Sequence, residues 1–129
     1  MDYFYIPSLI DPDRTYHQGE IYRAWIETTE GEKGRPVVVV SRDDLNTGKY
    51  LVIVPFTTKH LEERKKQSNN VFFNKNAFGL TKDCVAQCEA VAQIHKSKLQ
   101  EPIEPMGCIS PPVLQDIQDA IAFVIGMKI

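Results

Sequence analysis

The chain is poor in cysteine, with Cys84, Cys88 and Cys108 alone among 129 residues. The number is odd, and no C-x₂-C or H-x₃-H spacing accompanies it, because His17, His60 and His95 are scattered. That excludes a disulfide framework and argues against a zinc site, so no metal and no cofactor is expected. The cysteines read as small buried hydrophobes of a reducing compartment, which places the protein in the cytoplasm. Long apolar runs are also lacking. None approaches the roughly 20 residues that span a bilayer, so no membrane partner is expected. A basic surplus is missing too. The net charge is −2, which excludes a general polyanion binder but leaves room for a local basic site. The first residues, MDYFYIPSLIDPDRTYHQ, lack the basic-then-apolar order of a secretory signal. Residues 1–18 are expected to form an N-terminal arm and residues 19–129 a single domain.

What is present is a series of short β patterns. Gly19 to Glu27 alternates, with Ile21, Arg23, Trp25 and Glu27 on one face and Tyr22, Ala24 and Ile26 on the other. Thr28 to Pro36 holds two glycines and a proline and reads as a loop. The β-branched run PVVVVS predicts a strand covered on both faces. Asn46, Thr47 and Gly48 supply turn chemistry before a second strand, YLVIVPFTT, in which Pro55 marks a bend or an edge. KHLEERKKQSNN is a polar connection, NVFFNKN a short strand and AFGLTKD a turn; Cys84 to Ile94 is strand or helix by composition, and strand is favoured, which would place Cys84 and Cys88 on one face. HKSKLQEPIEP holds one helical turn, and MGCIS a short strand.

The last segment predicts a helix. Ser110 caps it and Pro111 or Pro112 opens it. Val113, Leu114, Ile117, Ala120, Ile121, Val124 and Ile125 follow at spacings of three and four, and Gly126 ends it. The architecture expected is a strongly curved antiparallel sheet or partly open barrel with a C-terminal helix. Trp25 and Phe56 are aromatic enough to stack bases, although a lone tryptophan in a small barrel belongs by default to the core.

The ordered set GEIYRAWI, GRPVVVVS and VPFTTK, followed by FGLTKDCVAQCEAVAQIHKSKL and a helix ending near VIG, resembles the PemK/MazF family of toxins. The resemblance implies an SH3-like twisted antiparallel barrel, a homodimer, and a sequence-specific, metal-independent endoribonuclease. It implies single-stranded RNA as substrate and a cognate antitoxin that silences the enzyme. A related branch with the same barrel poisons DNA gyrase, but leans on a C-terminal Trp-Gly-Ile that this chain lacks. A catalytically inactive binding module is the other alternative.

By that resemblance Arg35 is the central cation. Its planar, permanently charged fork suits a phosphorane. Thr57 matches the family's hydroxyl position and is suited to binding and orientation; a one-residue slip would present Thr58 instead. Glu30, in the loop before Arg35, and Glu89 are the candidate bases. Lys59, Arg64, Lys65, Lys66 and Gln87 are candidate RNA contacts. Gln87 stands where some relatives carry arginine, and Ala90 where many carry glutamine, so a mechanism built on an arginine at position 87 is closed to this chain. Cys84, Cys88 or the N-terminal arm are candidates for lining a dimer interface.

Overall fold

The structure is a computed structural model, and it describes residues 14–127. Most of the predicted N-terminal arm lies outside the described residues. The strands are β1 (Glu20–Thr28), β2 (Gly31–Val39), β3 (Tyr50–Thr57), β4 (Asn70–Phe73), β5 (Cys84–Gln87), β6 (Ala92–His95) and β7 (Gly107–Cys108). The helices are a single turn, α1 (Leu61–Arg64), and the C-terminal α2 (Pro111–Val124). The strands form one curled antiparallel sheet of order β4-β5-β3-β2-β1-β7, with β6 also paired to β3. The mostly β architecture with a C-terminal helix is the one expected. No described helix is long and apolar enough to cross a membrane.

The valine run is covered on both faces, as its composition predicts. Val38 points into a core with Ile21, Val54, Phe56 and Ile117, on the side of α2. Val37 and Val39 point the other way, toward Tyr22, Leu51 and Ile53. Period-two alternation thus divides one strand between two cores. Cys84 and Cys88 are both buried in the first core, so they cannot line a dimer interface. Tyr16 is buried and tilts against Tyr22 in the second.

Three local expectations change. The loop predicted for Thr28 to Pro36 shrinks to a turn at Thr29 and Glu30, because β2 starts at Gly31 and pairs with β1 through Thr28↔Gly31 and Glu27↔Glu32. Gly31 (φ 101°) supplies the left-handed conformation at the turn, and the Thr28 hydroxyl donates to the Gly31 carbonyl. The strand predicted from Cys84 to Ile94 is two strands. A 3₁₀ turn at Cys88–Ala90 separates them and switches the chain between two stretches of β3. Finally, Ile125, assigned to the buried stripe of α2, is 67% exposed.

A basic cleft where two strands part

The β2–β3 ladder runs from Val39↔Ile53 to Val37↔Pro55 and ends there. Pro36 and Pro55 each lack a backbone donor, and the ladder stops between them. Beyond that rung β2 continues with β1 alone, through Arg35↔Ala24 to Gly31↔Thr28. β3 continues with β5 through Phe56↔Ala86 and Thr57↔Val85. The two strands diverge, and a cleft of about 230 Å³ opens between them. Phe56, Leu80 and Cys84 line its apolar part. Burial and the nearby Asp83 push the Cys84 thiol up to about 11, so it is no nucleophile at neutral pH.

Arg35 and Thr57 both line this cleft, as do Thr58 and Lys59. So do Arg23, Lys33 and Lys82, which sequence reasoning did not assign to a site. Among the described residues five cationic side chains (Arg23, Lys33, Arg35, Lys59, Lys82) therefore face the space and no carboxylate is in its lining, although Glu30 bonds Lys33 and Lys59 at its margin. On a chain of net charge −2 this is a concentrated local positive field. Lys82 and the adjacent Thr81 follow the 3₁₀ turn at Ala77–Gly79, and a hydroxyl next to a cation is the signal the sequence offers for them.

Arg35 is half-buried, and its guanidinium makes no ion pair or side-chain hydrogen bond among the described residues. The acids nearest to it in sequence are held elsewhere. Glu32 accepts from Lys98 Nζ at 2.7 Å. Glu30 accepts from Lys33 Nζ at 2.8 Å and Lys59 Nζ at 3.3 Å. Thr57 is buried, and its Oγ1 accepts from the Lys59 backbone N–H at 3.2 Å. That contact uses an acceptor site and leaves the hydroxyl proton to donate.

The candidate bases occupy different places. Glu30 sits on the β1–β2 turn and bridges lysines from both walls of the cleft. The hydrogen bonds from Lys33 and then Lys59 hold its carboxyl below the usual carboxylate range. Glu89 lies outside the cleft lining. It accepts from Asn69 Nδ2 at 2.8 Å, Arg64 Nη1 at 3.2 Å and Gln87 Nε2 at 3.3 Å, tying α1 to the 3₁₀ turn. Arg64 and Gln87 thus join Glu89 and not the cleft. Lys65 pairs with Glu62 and stands 4.4 Å over the Phe72 ring, while Lys66 is exposed. The aromatic expectations reverse: Phe56 is 1% exposed and Trp25 is 43% exposed. Among the described residues no group of three or more His, Cys, Asp or Glu is placed to hold a metal ion.

Comparison with known proteins gives a consistent picture. The fold is similar to the Mycobacterium tuberculosis toxin MazF-mt6, with TM-score 0.69 and 18% identity over 85% of this chain and 99% of that one. It is similar to a mycobacterial endoribonuclease solved with its cognate antitoxin, with TM-score 0.69 and 20% identity over 88% and 98%. It is also similar to a MazE–MazF structure from Deinococcus radiodurans, with TM-score 0.64 and 19% identity over 90% and 100%. Residues 17–125 match the family model of the PemK-like, MazF-like toxins of type II toxin–antitoxin systems. With the cleft and the curled sheet in place, that match over most of the chain identifies it as a member of this toxin family.

Proposed function

We propose that the protein is a sequence-specific endoribonuclease toxin that cleaves single-stranded RNA without a metal ion. The observation that carries this reading is one cleft in which, among the described residues, an unpaired Arg35 and a donor-ready Thr57 stand among further cations with no carboxylate in the lining. Such a site attracts a phosphodiester and repels a cationic ligand. In the reaction the substrate's 2′-oxygen attacks phosphorus, a phosphorane forms, and the bond to the 5′-oxygen breaks. The products are a 2′,3′-cyclic phosphate and a 5′-hydroxyl. Arg35 neutralises the charge that grows on the non-bridging oxygens, and Thr57 donates a hydrogen bond to one of them. A guanidinium is a stronger acid than a ribose hydroxyl, so proton transfer from Arg35 to the departing oxygen is downhill. The 2′-hydroxyl proton passes to water, since among the described residues no carboxylate is in the lining of the cleft.

The same field accommodates an acidic antitoxin segment, which would silence the enzyme by occupying the RNA site. The mycobacterial endoribonuclease solved with its cognate antitoxin supports this pairing. A homodimer would cover the apolar residues at the end of α2, where Phe123 is 56%, Ile125 67% and Met127 64% exposed.

The test is incubation of the purified protein with long single-stranded RNA in EDTA, beside Arg35→Ala, with the new ends mapped. Discrete cuts bearing 2′,3′-cyclic phosphates, lost in the variant, are expected. Binding without cuts across a wide range of sequences would instead make the chain a binding module.

A further inference from the structure

Arg23 lines the cleft with Arg35 but leaves the β1–β2 ribbon on its other face. Arg23 pairs with Pro36 and Arg35 with Ala24, which are adjacent rungs. Side chains on adjacent rungs point to opposite faces, so the two guanidinium groups straddle the free edge of β2.

The position of Arg23 is built by its neighbours. Its Nε donates to Gln100 Oε1 at 3.1 Å, and its Nη2 donates to the Gly34 carbonyl at 3.3 Å. The Gln100 backbone N–H donates back to the Arg23 carbonyl at 2.8 Å. Gly34 provides the room, because a Cβ there would stand 2.7 Å from Gln100 Nε2 and 2.9 Å from Oε1. An arginine carries five N–H donors. Two are engaged in these contacts, which leaves three without a partner among the described residues. No ion pair claims Arg23 among the described residues, since Glu32, across the ribbon, accepts from Lys98.

We propose that Arg23, held by Gln100 over Gly34, binds the RNA phosphate that flanks the scissile one. The inference rests on the ribonuclease reading of the cleft. Arg35 serves the reacting phosphate, and Arg23 holds the strand in register beside it. Gln100 and Gly34 are positioning residues that keep the arginine fork aimed.

Salt dependence separates this role from a structural one. Each phosphate contact on a single strand contributes about 0.7 to the slope of log affinity against log salt. The measurement is affinity for a labelled random-sequence RNA with 2′-O-methyl riboses, across a salt series. Steady-state cleavage of the unmodified RNA is followed in parallel. Arg23→Ala is expected to lower the slope by about 0.7 and raise KM, with kcat within about twofold of wild type. Arg23→Lys should restore the slope, and Gln100→Ala should raise KM with the slope retained. A wild-type slope and KM in Arg23→Ala, or a loss confined to kcat with a lowered melting temperature, overturns the assignment. If the wild type binds RNA but never cuts it, the ribonuclease reading falls. A lowered slope in Arg23→Ala would then still place a phosphate at Arg23.

Discussion

Val37 and Pro55 form the last rung between β2 and β3, and the basic cleft begins where that rung ends. The strands stay close enough to share two cores below this point and separate above it. A stiff frame therefore presents Arg35 from one side and Thr57 from the other, and little ordering is left for the moment of binding.

The Thr57 hydroxyl accepts from the Lys59 backbone and keeps its proton for a ligand. A hydrogen bond to a charged group contributes about 1.5–3 kcal/mol. Thr57→Val, close in shape, should reduce kcat/KM roughly 10- to 100-fold, while Thr57→Ser should retain most activity. Equal activity of Thr57→Val and wild type would remove the hydroxyl from the mechanism.

Glu30 and Glu89 should not behave as bases. Glu30 is engaged by two lysines that line the cleft, and these hold its carboxyl in the ionised form. Glu30→Gln should free Lys33 and Lys59 and tighten RNA binding, more at low salt than at high. Glu89→Gln should leave cleavage within about tenfold. A larger fall in kcat for either, with a vanished acidic limb in the pH–rate profile, would restore the general-base role.

Gly107 and Gly79 bring the 3₁₀ turn at Ala77–Gly79 against β7. A Cβ on Gly107 would stand 2.0 Å from the Phe78 carbonyl oxygen, and one on Gly79 would stand 2.0 Å from that of Met106. Neither backbone can yield cheaply. Gly107→Ala should lower stability by about 3 kcal/mol in chemical denaturation. Because Leu80 and Lys82 follow this turn into the cleft, RNA affinity should fall with it. An unchanged denaturation midpoint would show that the contact relaxes.

His17 and Asp43 form a tie that depends on pH. Its Nδ1 lies 2.8 Å from Asp43 Oδ2, and this hydrogen bond raises the His17 pKa above the ordinary 6.5. The Gln18 backbone N–H and then His17 lower that of Asp43 from the ordinary 3.8. The histidine contribution is fully present below its unfolded pKa and is lost as pH rises through the raised folded value. The aspartate contribution is present above its unfolded pKa and lost as pH falls through the lowered one. The tie is therefore strongest between these limits, in mildly acidic solution. An NMR titration should find the His17 midpoint above 6.5, and Asp43→Asn should bring it down. A midpoint unmoved by that substitution would disconnect the pair.

The sequence by itself determined the β-rich class, the two valine and leucine strands, the proline-opened C-terminal helix, and Arg35 and Thr57 as the residues to test; Ser110 stands at the start of that helix but its side chain makes no capping hydrogen bond. These follow from local information: alternation, β-branching, proline and glycine placement, and a motif with a definite order. Only the tertiary structure decided which other side chains reach the same space. Arg23 and Lys82 stand 12 residues before and 47 residues after Arg35 in the chain, yet both line its cleft, because β1 folds back on β2 and the turn before β5 returns to β3. Glu89 looked equivalent to Glu30 as a carboxylate on a β-rich chain. The 3₁₀ break at Cys88–Ala90 carries it away to Arg64 and Asn69, and no periodicity announces that break. Charge follows the same division. A net value of −2 belongs to the whole chain, and the gathering of five cations of the described residues in one cleft belongs to the point where two strands lose their pairing.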